Sequence, residues 1–170
     1  MFVGHLPASY ILTTAGQRAV GDNSKALLAT GLVASVVPDA DLAWFFFVDH
    51  RQVEHHAYLT HTPAFWIGIA ALALAVCWMM KWREGPYFVG IALANLLLHL
   101  ALDSIAAGVQ WFWPLSDFEV NLVRVPARYD WWVWNFVLHW TFALELAVIA
   151  AAFGLWIWKR KRPEATAPGL

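Results

Sequence analysis

The chain has 170 residues, of which 61% are hydrophobic and 14% are charged, and its formal net charge is -1. Globular domains are roughly 45–50% apolar, so the composition excludes an ordinary water-soluble domain and favours a membrane protein. The near balance of charges leaves no basic surface for nucleic acid, which is not expected as a partner. The single Cys77 lies in an apolar run and excludes a disulfide framework.

One domain is expected over residues 1–162, followed by a tail over 163–170 that is rich in Pro and Ala and is expected to be disordered. The N-terminal segment lacks the basic region of a cleaved signal peptide, and residues 6–16 predict a short helix that enters the bilayer. Crossing a bilayer takes about 20 apolar residues in a helix. Four later runs satisfy this and predict an all-α bundle of four long spans: Ala26–Val48, Pro63–Met80, Tyr87–Val109 and Trp131–Trp158.

Basic residues predict the orientation of these spans. Eight of the 11 Lys and Arg residues flank the ends that we assign to the cytoplasm: Arg18, Lys25, Lys81, Arg83, Lys159, Arg160, Lys161 and Arg162. The positive-inside rule therefore predicts an integral protein of the bacterial inner membrane with a cytoplasmic C-terminus. Most of the 12 Trp residues also fall at the ends of the spans, as in interfacial aromatic belts.

Ionisable side chains interrupt the first span and fill the loop after it. Pro38 disfavours helix at this point, and in the extended segment expected there Asp39 and Asp41 would point to one side. The outer loop over residues 49–62 holds four of the seven histidines: His50, His55, His56 and His61. Ionisable groups are costly in a bilayer, so they usually line a protein interior or a wet cavity and mark a working site.

Further candidate ligands recur at the same depth in the last two spans. His99 and Asp103 follow Asn95 at intervals of four residues, which places all three on one stripe of a helix. His139 lies in the outer half of the last span, and Glu145 lies about 9 Å deeper and is turned away from it. Carboxylates and imidazoles suit zinc, manganese or iron, and adjacent ions can activate water and neutralise a phosphoryl oxygen.

Four short motifs together resemble the membrane-bound metal-dependent hydrolase family, also described as LexA-binding inner-membrane-associated hydrolases. They are the early histidine in GHLPASY, PDAD at 38–41, HAYLTH at 56–61 and HLALD at 99–103 followed by WFWPL. The segment ARYDWWVWNFVLHWTFALEL is similar to a subgroup of these proteins. The His-xxx-Asp pairing is more distantly similar to zinc-dependent phospholipase C and to the related single-strand nucleases, which cleave phosphodiesters with a trinuclear zinc cluster.

The resemblance implies a metal site at the positions that match the family motifs: His5, Asp39, Asp41, His56, His61, His99 and Asp103. It also adds His139 and Glu145 to the candidate ligands. If His5 is a ligand, the N-terminus starts on the outer side and a short inserted helix crosses through Leu6 to Ala19 before the four spans.

The function expected from these residues is hydrolysis of a small-molecule or lipid-linked phosphoester with two or three divalent ions, zinc first and manganese or iron as alternatives. Asp39 is expected to act in catalysis, and His50, His55 or Arg51 to assist the leaving group. Membrane lipid is the other expected partner.

Two other classes of function stay open. The EHH sequence at 54–56 is typical of the histidine-rich loops of di-iron desaturases and hydroxylases, although three aspartates favour hydrolysis. The chain could instead be a metal-binding membrane protein without catalytic activity, or could bind haem through His99 and His139.

Overall fold

A computed structural model describes residues 3–52 and 55–161, and the tail over 163–170 lies outside this range. Seven α-helices follow one another along the chain: α1 (His5–Val20), α2 (Lys25–Ala34), α3 (Leu42–Phe47), α4 (Pro63–Met79), α5 (Gly85–Asp103), α6 (Trp132–Val137) and α7 (Thr141–Lys161). Three 3-10 turns lie between α2 and α4: Pro38–Asp41, His55–Ala57 and Leu59–His61. In the described part of the chain the only β pairing is an isolated bridge between Val109 and Val120. The predicted all-α class is confirmed.

Two helices, α5 and α7, are long and apolar enough to cross a membrane. α2 and the segment Pro38–Phe47 pass the same test only as a pair, which is bent by 49°. α4 is apolar but has only 17 residues. The described residues therefore contain two clear spans, or three if the bent pair counts as one, where the sequence predicts four long spans.

The first predicted span is broken because Pro38 cannot continue a helix. α2 ends at Ala34, and residues Pro38–Asp41 form a 3-10 turn rather than the extended segment that the sequence predicts. Asp39 and Asp41 thus reach their partners from a tight turn.

The last two predicted spans also differ at their outer ends. α5 ends at Asp103, and the residues after it turn back so that Leu122 N–H donates to the carbonyl of Ser104 at 2.8 Å. The final run divides into α6 and α7, because helix stops at Val137 and starts again at Thr141. The C-terminal part of the third predicted span and the N-terminal part of the fourth are therefore loops and a short helix rather than regular membrane helix.

α5 is the central helix of the bundle and packs against α1, α2 and α4, while α7 packs against α1. The interface between α1, α2 and α5 includes several fully buried polar side chains. Ser9 Oγ donates to the carbonyl of Gly31 at 2.9 Å, and Asn95 Nδ2 donates to Thr13 Oγ1 at 3.0 Å. Asn95 is therefore an interhelical hydrogen bonder. Small residues and hydroxyls of this kind allow helix backbones to approach closely in a membrane.

Replacing Gly31 with Ala is expected to destabilise the protein, because a Cβ atom there would overlap Thr13 Oγ1 and lie 3.0 Å from Asn95 Nδ2. Overpacking of this kind costs about 1–3 kcal/mol. The matched control is Gly68→Ala in α4, where an added Cβ meets nothing within 4 Å. Thermal unfolding in detergent should show a lower midpoint for Gly31→Ala and an equal or higher midpoint for Gly68→Ala. Equal midpoints for the two variants would show that the contact at Gly31 is loose.

Candidate metal centre

The ligand-type side chains meet at one end of the bundle, where α1 begins and α5 ends. His5 is the first residue of α1, and Asp103 is the last residue of α5, one turn beyond His99. The turn Pro38–Asp41 and the turn Leu59–His61 pack against each other at this end. Both turns, which the sequence places in or beside an outer loop, thus lie next to the start of α1 and the end of α5.

Asp39 and Asp103 lie at the centre of a ring of imidazoles. His99 Nε2 is 2.9 Å from Asp103 Oδ2 and 3.6 Å from Asp39 Oδ1. His61 Nε2 is 3.8 Å from each of the same two oxygens. Neighbouring ligand atoms on a tetrahedral zinc ion with 2.0–2.1 Å bonds are separated by about 3.3 Å, so these distances fit shared cations.

Three further histidines complete this circle of five imidazole side chains, which we call the imidazole ring. His5 Nε2 lies 3.2 Å from Asp103 Oδ1, and His56 Nε2 lies 3.9 Å from Asp103 Oδ2. His55 Nε2 lies 3.3 Å from Asp39 Oδ1. All five imidazoles therefore present Nε2 to the two carboxylates.

The ring contains three sets of ligand atoms that are close enough to share an ion, each with all atoms within 4.8 Å: His55, His56 and His61; His5, His99 and Asp103; and Asp39, His61 and His99. The first two sets have no residue in common, so two ions can be held at the same time. Asp39 Oδ1 contacts members of both sets, and its carboxylate is therefore placed to bridge them.

Two histidines of the imidazole ring have Nδ1 atoms that face acceptors outside the group of five side chains. His99 Nδ1 donates to the carbonyl of Ser35 at 2.7 Å. His61 Nδ1 donates to Asp41 Oδ2 at 3.1 Å, and the same oxygen accepts from the Thr60 hydroxyl. A neutral imidazole with its proton on Nδ1 has its lone pair on Nε2, which is the atom that faces the carboxylates.

Asp41 therefore lies behind the histidines instead of among the ligand sets. Its Oδ1 is 3.0 Å from His55 Nδ1, so one carboxylate reaches Nδ1 of both His55 and His61. The sequence predicts Asp41 as a ligand, and the structure gives it the geometry of a residue that orients ligands. Neither Ser35 nor Thr60 is predicted as a site residue, because a carbonyl and a hydroxyl carry no signal of this role in the sequence.

A cation also fits the buried polar atoms of the ring. His61 Nε2 and His99 Nε2 are both buried and make no hydrogen bond to any described residue, although Asp103 Oδ2 is only 2.9 Å from His99 Nε2. Leaving a buried polar group without a partner costs about 1–3 kcal/mol. An ion between a lone pair and a carboxylate satisfies both, so the donor set suits a divalent metal.

The pKa shifts differ among the three histidines His55, His56 and His61. Burial lowers the pKa of His55, but hydrogen bonds to Asp39 and Asp41 outweigh burial and raise it to about 9. Burial also opposes protonation of His61, yet the same two aspartates raise its pKa. Burial lowers the pKa of His56 to about 4. The two aspartates thus favour a proton on His55 and on His61, whereas burial favours the neutral form of His56.

A cleft of about 230 Å³ opens beside the imidazole ring. One wall is polar and carries ring residues: Asp39, His55, His56 and Asp103. The other lining residues form an apolar wall: Leu42, Ala106, Ala107, Trp132 and Phe136. Sequence reasoning does not find the apolar wall, because aromatic residues near span ends are equally typical of interfacial belts.

A family model described as YdjM inner membrane protein matches residues 1–164. The chain belongs to the YdjM inner membrane protein family. Membership agrees with the apolar helices α5 and α7 and confirms the predicted integral location in the inner membrane. The family description specifies a membrane and no reaction. No curated protein and no solved structure matches this YdjM-family chain.

Besides Asp41, four predicted site residues of the YdjM-family protein lie outside the imidazole ring. His50 and Arg51 are exposed on the turn after α3, where the Arg51 guanidinium lies 4.9 Å from the centroid of the Phe46 ring. His139 Nδ1 lies 3.0 Å from Thr141 Oγ1 at the start of α7 and belongs to none of the three ligand sets.

The fourth, Glu145, caps α1 from a distant helix. Its Oε2 accepts from the backbone N–H of Val3 at 2.5 Å and of Gly4 at 3.0 Å, immediately before His5. Gly4 at the N-cap position provides no side-chain cap of its own. A carboxylate at a helix N-terminus offsets the positive end of the helix dipole. Glu145 therefore holds the start of α1 and, with it, His5 in the imidazole ring.

Replacing Asp41 with Asn is expected to weaken metal binding by about 10–100-fold, the usual effect of removing the partner of a metal-bound histidine. The number of ions bound at saturation should stay unchanged, because the ligand sets remain. Competition with a chelator in detergent-purified protein measures the affinity, and His139→Ala is the matched control, with no change expected. Loss of a whole ion from Asp41→Asn would instead make Asp41 a direct ligand.

Proposed function

We propose that this YdjM-family protein is a membrane-embedded, metal-dependent hydrolase that holds two divalent ions and cleaves a phosphoester. The observation that carries the proposal is the pair of separate ligand sets, joined by Asp39, at the base of an open cleft. Because imidazole predominates among the ligand atoms, zinc is the first choice, with manganese or iron as alternatives.

Two bound divalent ions supply the Lewis acidity that activates water and neutralises charge on a phosphoryl oxygen. The polar wall of the cleft determines where the phosphoryl group binds. The side chain of Asp39 is 34% exposed, in contrast to 3% for Asp103, so of these two cleft residues Asp39 is the carboxylate that is more accessible to water. Asp39 takes a proton from the attacking water and returns it to the alcohol oxygen as the bond from phosphorus to that oxygen breaks.

His55 is the residue with two competing roles. Of the three residues expected to assist the leaving group, it is the only one that lines the cleft. It also belongs to a ligand set, and a nitrogen that binds an ion cannot carry a proton. We assign His55 to metal binding. The proton transfer is assigned to Asp39 Oδ2, because the imidazoles face Oδ1 and a carboxylate can bind an ion through one oxygen.

The proposed topology places this site at the outer face of the membrane. The Arg18 guanidinium at the end of α1 lies 4.8 Å from the Trp158 ring at the end of α7, so both helices end at the same side. The basic residues of α7 and of the turn after α4 lie at that side, and the positive-inside rule assigns it to the cytoplasm. In this arrangement the bent pair, α4, α5 and α7 provide four crossings, and α1 inserts beside them.

Metal content provides the first test of the hydrolase. Elemental mass spectrometry of detergent-purified protein should find two divalent ions per chain, and the double variant His99→Ala, Asp103→Ala should lose at least one of them. Asp39→Asn should reduce hydrolysis of a phosphoester such as p-nitrophenyl phosphate by more than about 100-fold, since even indirect partners of a metal site account for 10–100-fold. Its thermal unfolding should stay within a few degrees of the wild type.

Full turnover by Asp39→Asn would remove this residue from the mechanism. Two iron ions with oxygen reactivity would favour an oxidative enzyme over the hydrolase. Wild-type protein without any metal would overturn the proposed function.

Labelling of single cysteines tests the topology. In a background with Cys77→Ala, Ser116→Cys in the loop after α5 should react with a membrane-impermeant maleimide in intact cells. Glu84→Cys, in the turn before α5, should react only after the membrane is permeabilised. Both native residues are exposed, so accessibility within the protein is matched. The reverse pattern would invert the proposed orientation.

A further inference from the structure

Two short helices that flank the cleft are not buried in the bundle. α3 contributes Leu42 to the apolar wall, and α6 contributes Trp132 and Phe136. Neither helix has a buried residue. Their composition, LAWFFF and WVWNFV, is nevertheless entirely apolar apart from one Asn. Exposed Trp and Phe side chains of this kind suit the interfacial layer of the lipid.

The outward side chains beside the cleft have the character of lipid-facing residues. Phe47 at the end of α3 is 81% exposed, and Trp44 and Trp131 are each 56% exposed. Aromatic residues at this density are typical of the membrane interface, where their rings lie at the level of the lipid headgroups. The two sides of the cleft mouth therefore suit contact with the bilayer better than contact with bulk water.

We infer that the cleft opens sideways between α3 and α6 into the adjoining leaflet, and that its substrate is a bilayer lipid carrying a single phosphate ester. The inference rests on the proposed hydrolase function and adds the class of the alcohol. The phosphoryl group lies against the polar wall, and the first part of the hydrocarbon chain lies against Leu42, Trp132 and Phe136.

Charge favours one phosphoryl group over two. None of the described residues that line the cleft is Lys or Arg, so a bound headgroup is neutralised by the ions alone. A diphosphate would bring further negative charge next to Asp39 and Asp103 without a cation to offset it, which is costly where water is scarce. In the reaction, water bonds to phosphorus and gives a proton to Asp39, the bond from phosphorus to the lipid oxygen breaks, and the lipid oxygen takes up that proton to leave as the alcohol.

The apolar wall explains why a lipid can reach the ions. A hydrocarbon chain that moves from the bilayer to an apolar wall stays out of water throughout, so entry carries little desolvation cost for the chain. A water-soluble ester has to enter past Trp132 and Phe136 without any matching apolar group. The inferred preference for a lipid thus depends on how the substrate enters the cleft as well as on its contacts with the apolar wall.

Photolabelling tests where a phosphorylated chain binds, without requiring turnover. The probe is hexadecylphosphonate with a diazirine near the phosphonate group, added to zinc-loaded full chain in phosphatidylcholine nanodiscs. Mass spectrometry should place the label on peptides that contain Leu42, Trp132 or Phe136. Excess unlabelled hexadecylphosphonate should reduce this labelling at least tenfold, and hexadecanol should not. Equal competition by hexadecanol, or by neither compound, would mean ordinary lipid contact and overturn the inference.

Paired variants test the apolar wall. The double variant Trp132→Ala, Phe136→Ala should lower the ratio of phosphatidic acid turnover to p-nitrophenyl phosphate turnover at least tenfold. The matched control is Trp134→Ala on the same short helix, which does not line the cleft and should leave the ratio unchanged. An unchanged ratio in the double variant would overturn the assignment of this wall to the lipid chain.

The two proposals fail in different ways. A protein that holds two ions and hydrolyses p-nitrophenyl phosphate, but shows no competed labelling, overturns the lipid substrate and leaves the hydrolase intact. A wild-type protein without metal overturns the hydrolase and the lipid substrate together.

Discussion

The need to neutralise aspartates next to a membrane governs the arrangement of this protein. Asp103 is 2% exposed at the end of α5, and a charge in such a place is tolerated only when it is paired. Between described residues, the ion pairs of Asp39, Asp41 and Asp103 are all with histidines. Those histidines come from α1, α5 and the loop before α4, so pairing of charge also fixes how these elements meet. The imidazole ring therefore connects these elements structurally and is also a candidate metal centre.

The dipoles of the helix ends also affect the electrostatics of the imidazole ring. α5 ends at Asp103, and the negative end of a helix dipole favours cations. α1 begins at His5 with its positive end toward the same place, which would disfavour cations, but Glu145 accepts from the N–H groups there and offsets that charge. One carboxylate from α7 thus makes the start of α1 compatible with a metal centre. Contact between α7 and α1 is the packing on which this depends.

Below the imidazole ring, the bundle is held by hydroxyl and amide groups instead of charges. Ser9, Thr13 and Gln17 follow one face of α1 at intervals of four residues, and all are buried. Ser9 and Thr13 bond to α2 and α5, and Gln17 Nε2 donates to the carbonyl of Ser24 at 2.9 Å. Tight packing around Gly31 keeps α1, α2 and α5 in register. The ring at one end is consequently supported by a rigid interface along the length of the helices.

The sequence alone determined the membrane class, the all-α composition and the types of ligand, because these follow from apolar runs, periodicity and residue chemistry. It also placed His99, Asp103 and the loop histidines at one depth, since helix geometry is local. It could not separate Asp39 in the ring from Asp41 behind it, because that depends on which nitrogen of His61 each carboxylate meets. Nor could it show that Glu145 caps a helix 141 residues away, or that Trp132 and Phe136 line a cleft. Such roles are decided only by tertiary structure, because they arise from contacts between segments whose local sequence carries no trace of each other.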